Sequence, residues 1–373
     1  MITTAQKITI ADKTDFEVAP CLREGSLSEN ARKFIAASRE LGNAAYASVL
    51  RAWCVPYLFH TMEELLADGG DPFVGVNSAL EKLTEFFAVT KTGGFEILST
   101  KINLKAPENI DRNRDVKTIT GDHYGNLFKS FSKLSYWDEP VKLLKQRLER
   151  NGIAVSEIEG KKVLDAGCGG GRYAVAWRLL GASPVVGLDI SPINIKDANR
   201  RTTEAEIGDI SFKNGDVLDL PFEDNEFDIV FSNGVLHHTT DWEKGVAELV
   251  RVLKPGGLGW LYLITNPGGV FWDVIEILRL LMKDEQKSTA RAALRAINIP
   301  ANRIFYMLDH VMVPINLRLA PSEVRDCLIK SGATEIRRLE RGADFDRIEH
   351  IYKQSEYAKE HFGAGENRYV FSK

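Results

Sequence analysis

The residues of this chain best suited to chemistry are three aspartates, a run of glycines and a pair of histidines. Asp165, Asp189 and Asp216 each close or closely follow a short apolar stretch, beginning at Val163, Val185 and Ile210 respectively. A carboxylate at the end of a buried strand can accept hydrogen bonds from the hydroxyl or amino groups of a ligand. After Asp165, Gly167, Gly169 and Gly171 let the backbone turn tightly and approach a ligand without Cβ clash. A helix opening at Arg172 would turn its free N–H groups toward a negatively charged ligand group. His237 and His238 follow a fourth apolar run, Phe227–Asn233. Adjacent residues point in different directions, so one of the pair, His238, is favoured to face a reacting group, with His237 beside it. His123 and His310 are the alternative bases.

Elements must hold these residues in place. Val163–Asp165, Val185–Asp189, Ile210–Asn214, Phe227–Asn233 and Leu258–Ile264 read as buried strands. Helices are expected between them, over roughly 193–205 and 242–252, with Ser191-Pro192 opening the first and Leu253–Gly257 turning into the fifth strand. Near the C-terminus, 321–331 reads as a helix and 334–341 and 367–372 as strands. Alternating strands and helices of this kind give an α/β fold with a parallel sheet, which binds ligands at the strands' carboxyl ends.

The spacing Asp165-x-Gly167-x-Gly169-x-Gly171 resembles the first motif of the class I S-adenosylmethionine (SAM)-dependent methyltransferases. Gly169-x-Gly171-x-x-Ala174 also fits the permissive dinucleotide fingerprint. Asp165 separates the two, because a carboxylate is awkward beside a pyrophosphate and suits the ammonium of SAM. The resemblance covers about 155–265 and returns at the C-terminus. It implies a Rossmann-like seven-stranded sheet, SAM as cofactor and S-adenosylhomocysteine as product. It also implies site residues: Asp165 and Gly167 at the methionine end, Asp189 on the ribose, Asp216 on the adenine amino group and Val217 along the ring. Gly169, Gly171, Arg172, Ile190 and Asn233 complete that set, and Gly234–His238 resembles the loop under the sulfonium in the small-molecule branch. The polar-aromatic segment from Gly121 resembles the family's flap over SAM. Tyr124 would reach the methionine carboxylate, and Tyr136 or Trp137 would cover the site; alternatively these aromatics simply dock the segment onto the core.

The N-terminal third is helical in pattern. Residues 29–59 are rich in Ala, Leu, Tyr and Phe at helical spacing, Thr61-x-x-Glu64 reads as a capping box, and 76–89 as a further amphipathic helix. Phe86–Lys91, Gly93-Gly94 and Phe95–Ser99 read as a hairpin. Helix, helix, hairpin resembles the winged-helix dimerisation domain of many O-methyltransferases. The apolar run Ala44–Phe59 points to a homodimer. Glu81, Lys82 and Glu85 make the would-be groove helix acidic, against binding DNA. A domain over 1–120, a polar linker at 101–121 and a methyltransferase domain over 121–373 are expected.

More than fifty residues separate the fifth strand from the helix at 321, too many for a bare connection, so about 267–320 is expected to form a lid over the acceptor. Residues 279–318 hold seven basic side chains against three acidic ones, in a chain of net charge −4. Lys283, Lys287, Arg291 and Arg295 recur every fourth residue, along one slowly drifting helix face. That face is either ordinary solvated surface or, with Arg303 and Arg318 nearby, the receiver of an acidic acceptor. The arginines suit a carboxylate best, so Arg291, Arg295 and Arg303 are the substrate-binding candidates, with Tyr306 on the pocket wall.

Composition narrows the partners. With 44% hydrophobic and 27% charged residues among 373, the chain reads as a globular protein, and its slight negative charge argues against a nucleic-acid partner. Cys21, Cys54, Cys168 and Cys327 form no Cys-x-x-Cys pair, so neither a zinc ribbon nor a disulfide framework is indicated, and no metal is expected. No apolar run suggests a signal peptide or membrane span, and a cytoplasmic protein is expected. The combined expectation is a small-molecule methyltransferase. The alternatives are a tRNA or protein methyltransferase, disfavoured because Ser232-Asn233-Gly234-Val235 replaces an Asn/Asp-Pro-Pro-Tyr/Phe motif, and a SAM-sensing winged-helix regulator.

Overall fold

Strongly apolar strands must be covered on both faces, and helices supply that cover here. The computed structural model describes residues 27–92 and 133–373. Five parallel strands, β1 (Val163–Ala166), β2 (Val185–Asp189), β3 (Ile210–Asn214), β4 (Phe227–Asn233) and β5 (Leu253–Leu263), pair with β7 (Asn367–Ser372) and β6 (Thr334–Arg338). The order across the sheet is β3-β2-β1-β4-β5-β7-β6, with β7 antiparallel to both neighbours. This is the seven-stranded Rossmann-like sheet the glycine motif implies. The strand order reverses between β1 and β4, the point where such sheets open a crevice.

Three of the earlier helices in the chain, α1 (Ser28–Glu40), α2 (Ala45–Asp68) and α3 (Pro72–Thr92), form no winged helix among the described residues. Phe86–Lys91 continues α3 instead of starting a strand. Val76, Ala79, Leu80, Leu83 and Phe87 fall three or four residues apart and are all buried, with Phe87 stacked on Phe34 at 5.6 Å. That helical period prevails over the β-propensity of the local sequence. The other half of the expected hairpin, and the linker at 101–121, lie outside the described residues. Thr61 opens no helix either. It sits inside α2, where its hydroxyl donates to the Tyr57 carbonyl at 3.0 Å. The break comes at Gly69, in the left-handed conformation (φ +67°), and Pro72 starts α3.

The next helices are α4 (Lys133–Glu149), α5 (Arg172–Leu179), α6 (Pro192–Glu204) and α7 (Trp242–Val252). The insertion after β5 is helical, as expected: α8 (Gly269–Leu281), α9 (Lys287–Ala296) and α10 (Ala301–Val311), followed by α11 (Pro321–Lys330). It shares one apolar core with α1–α3, including Phe34, Phe59, Phe271, Leu278 and Leu294. Arg51 and Glu285 make a buried ion pair at 2.6 Å, and Trp53 Nε1 donates to the Ala293 carbonyl. The apolar run Ala44–Phe59 is therefore consumed within the chain, with Leu50, Val55, Leu58 and Phe59 all buried. The motive for a dimer through this run disappears.

Between β6 and β7 the chain makes a long excursion with two short helices, α12 (Arg347–Tyr352) and α13 (Ala358–Phe362). It folds back over the carboxyl ends of β4 and β5. No helix among the described residues is long and apolar enough to cross a membrane.

Candidate active site

The glycine turn between β1 and α5 is held from three sides. Gly167 and Cys168 donate their N–H groups to the Leu188 carbonyl, at 2.8 and 2.9 Å. Gly169 donates to Asp189 Oδ2 at 2.9 Å. Tyr136 reaches from α4 to donate its hydroxyl to the Gly170 carbonyl. Gly167 (φ +85°) needs to be glycine twice over, since a Cβ there would also collide with the Val235 side chain. At Gly171 a Cβ would drive into the Phe212 ring.

A cavity of about 290 Å³ opens above this turn. Gly167, Gly169, Arg172, Asp189, Ile190, Asp216, Val217 and Asn233 lie on its wall, as the resemblance implies. Asp189 accepts from Ser191 N–H (2.9 Å), Asn194 Nδ2 (3.2 Å) and Gly169 N–H. These occupy about three of a carboxylate's four acceptor positions, so capacity remains for a ligand hydroxyl. Burial raises the pKa of Asp189 above the usual carboxylate value. Asp216 accepts from the Leu218 N–H at 3.0 Å, which orients it at the rim. A glycine cradle, strand-end carboxylates and an apolar wall of Val217 and Leu218 together fit the nucleoside and amino-acid ends of SAM.

Four expected positions differ. Asp165 is not on the cavity wall. It is buried behind the turn with Oδ2 lacking a hydrogen bond among the described residues, and burial plus the nearby Asp189 charge push its pKa up to about 8. Gly171 shapes the turn from below and is likewise absent from the wall. Tyr136 and Trp137 line neither cavity. They pack in the core beneath the turn, ring centroids 4.5 Å apart, with the Arg201 guanidinium 4.1 Å from the Tyr136 centroid. These aromatics dock α4 rather than cover a ligand. His123 and Tyr124 lie outside the described residues.

A second cavity, about 680 Å³, adjoins the first. Asn233, Gly234, His238 and Asp309 line both. His237, His310 and Tyr306 line the larger one, as does Arg303. Arg303 is committed to Glu63 at 2.6 Å on the partly exposed rim. Arg291 and Arg295 line neither cavity, and Arg295 is exposed. The expected basic stripe is split because α8 ends at Leu281 and α9 starts at Lys287, which leaves Lys283 in the turn between them. Arg318 instead pairs with Asp273 at 3.5 Å.

The histidines are sorted by their hydrogen bonds. His238 Nδ1 is 2.8 Å from the Ile315 carbonyl, which can only accept, so Nδ1 carries the hydrogen and Nε2 is the basic nitrogen. His310 has the same tautomer through the Tyr306 carbonyl at 2.7 Å. Burial lowers the pKa of His238, and that of His310 to about 4, so both rings are neutral near pH 7. His237 is fully buried and its pKa falls further, first from burial and then from the adjacent His238 ring, 4.1 Å away between centroids. Only His238 of the three also faces the smaller cavity. Among the described residues, no group of three His, Cys, Asp or Glu is placed to hold a metal ion.

Several wall residues gave no sign in the sequence: Asn316, Tyr262 of β5, and Arg347 and Arg368 from the end of the chain. Length was the available signal for Arg347, because residues 339–366 are too many for a simple β6–β7 connection.

Comparison with known proteins agrees with this geometry. Residues 164–261 match the family model for a methyltransferase domain. The 27-O-demethylrifamycin SV methyltransferase of Amycolatopsis mediterranei is 32% identical over 143 residues, covering 36% of this chain and 53% of the relative. The chloroplastic tocopherol O-methyltransferase of Arabidopsis thaliana is 35% identical over 149 residues, covering 37% and 42%. The fatty-acid O-methyltransferase of Mycolicibacterium smegmatis is 31% identical over 187 residues, covering 50% and 65%. The chain thus spans about half the length of these curated relatives.

Proposed function

From a class I methyltransferase domain with a second cavity built against it, we propose that this chain transfers a methyl group from SAM to an oxygen of a small, acidic organic molecule. The observation that carries this reading is the junction: two cavities of different character meet at Asn233, Gly234, His238 and Asp309. Two of the three relatives above are named as O-methyltransferases and the third modifies an oxygen position by name, which favours oxygen as the acceptor atom.

Bound SAM supplies an electrophilic methyl on a positively charged sulfur. The chain's part is to align the acceptor with it and to manage one proton. His238 does the second. Its Nε2 takes the hydroxyl proton of the acceptor as the new O–C bond forms and the methyl–sulfur bond breaks, its electron pair staying on the sulfur of S-adenosylhomocysteine, and the Ile315 carbonyl fixes the ring through Nδ1. Asp309, whose charge favours protonation of His238, stabilises the imidazolium that results. The ring's lowered pKa keeps it unprotonated at neutral pH, as a base must be.

The test is incubation with methyl-labelled SAM and, separately, fractions of small organic acids, neutral small molecules, bulk tRNA and bulk protein. Label should enter the small acids. Label confined to tRNA or protein would replace this reading with that of a macromolecular methyltransferase. Binding of SAM without transfer to any fraction would leave the regulator.

A further inference from the structure

Four arginines and five carboxylates line the larger cavity, and their pairing is uneven. Arg147 makes a two-pronged pair with Asp346, both contacts at 2.7 Å. Arg368 donates to Glu366 at 3.3 Å and to Asn233 Oδ1 at 3.0 Å. Arg303 holds Glu63 at 2.6 Å. Arg347 differs. Its nearest carboxylate oxygen among the described residues, on Glu366, is 3.9 Å away. Its hydrogen-bond partners are the Tyr262 and Tyr306 hydroxyls, each at a long 3.4 Å. The guanidinium lies over Phe271 (4.2 Å from the centroid) and Trp272 (5.0 Å), and the side chain is only 13% exposed.

A buried guanidinium without a close counter-ion is costly unless a ligand completes it. We propose that Arg347 is the anchor for a carboxylate on the methyl acceptor, and that the acceptor is a hydroxy acid with an apolar body. This rests on the methyltransferase reading above. Three features select the class. Arg347 lines the larger cavity only, whereas methyl transfer is assigned to the junction, so the anchored anion and the methylated hydroxyl are different groups of one molecule. Phe59, Met62 and Leu66 of α2 offer the cavity an apolar wall. The cavity already holds one more carboxylate than arginine, so it repels a dianionic phosphate more than a carboxylate, and the flat fork of Arg347 matches a carboxylate edge. The two tyrosine hydroxyls are placed to add hydrogen bonds to the same anion.

Calorimetry on the full chain saturated with S-adenosylhomocysteine tests this, using two probe pairs: ω-hydroxydodecanoate and its amide, and hydroxyphenylpropanoate and its amide. One acid at least should bind about tenfold or more tightly than its amide, the size expected of a charge-assisted hydrogen bond. Arg347→Met, which keeps a flexible apolar side chain over Phe271 and Trp272, should erase that preference while melting temperature and S-adenosylhomocysteine affinity hold. Arg347→Lys should restore only part of it. Equal binding of acid and amide, no binding of either acid, or a preference surviving in Arg347→Met would each overturn the assignment. Tighter binding of dodecyl phosphate than of ω-hydroxydodecanoate would overturn the carboxylate. If wild-type protein failed to bind S-adenosylhomocysteine, the methyltransferase reading would fall and this inference with it; if it bound without an acid preference, only Arg347 would lose its role.

Discussion

The two cavities are built from different materials. The smaller is made of backbone and strand ends: a glycine turn pinned to Leu188, and carboxylates fixed by N–H groups of the same loops. The larger is made of side chains brought from α2, β5, α8, α10 and the 339–366 excursion, and its walls are aromatic rings, arginines and acids. Backbone geometry tolerates few substitutions but binds one ligand type reliably. Side chains on helices can change one at a time without disturbing the sheet. The first arrangement suits a constant cofactor, the second a substrate that differs between relatives.

Variants at the junction should separate the two ends most sharply. His238→Asn keeps a donor for the Ile315 carbonyl and removes the basic nitrogen. The maximal rate is expected to fall by roughly 10²–10⁴, the usual worth of a general base, with the KM for SAM unchanged. Because burial lowers the His238 pKa below 6.5, the wild-type rate should stay level from pH 8 down past 6.5 and fall only in more acid solution. An inflection at or above 6.5 would take the proton-accepting role from His238.

On the cofactor side, Gly167→Ala forces a Cβ into Val235 at a left-handed φ. Affinity for S-adenosylhomocysteine by calorimetry should drop about a hundredfold, equivalent to about 2.7 kcal/mol. Asp189→Ala should cost about tenfold, through the lost ribose contact and a loosened Gly169. Unchanged affinity in Asp189→Ala would remove that residue from the site.

Asp165 is expected to show itself in stability rather than in binding. An acid whose pKa is raised on folding from 3.8 to about 8 costs the folded state more as pH climbs through that interval, because the unfolded chain ionises first. Wild type should therefore lose melting temperature relative to Asp165→Asn between pH 4 and 8, with a constant gap above. A gap independent of pH would mean that Asp165 ionises normally. The smallest effects belong to Arg291→Met and Arg295→Met, which line neither cavity and should leave cofactor and acceptor binding as they are.

The same division decided what could be read in the sequence. β2, β3, β4 and β7 fall where the apolar runs place them, and Asp189, Asp216 and Gly167 follow, because a strand and the turn at its end are local in sequence. Asp165 was legible as a strand end, but not as a residue behind the turn, since only packing decides which strand-end side chain faces the crevice. The hairpin expectation fails in its first strand, because the helical spacing of Val76, Leu80, Leu83 and Phe87 carries α3 through Thr92. The acceptor anchor failed for a different reason. Arg291 and Arg295 stand in a regular stripe, which marks a helix face but not which way it turns. Arg347, isolated in a long connection, reaches the site only because the chain folds back over β4 and β5.

A crystal structure of the full chain with S-adenosylhomocysteine bears most directly on the arrangement of the two cavities. The adenosine should lie across Asp189 and Asp216, with the sulfur at the junction between Gly234 and His238, open toward the cavity that holds Arg347. A ligand bound in the smaller cavity with its sulfur turned away from His238, or bound elsewhere on the chain, would contradict the account.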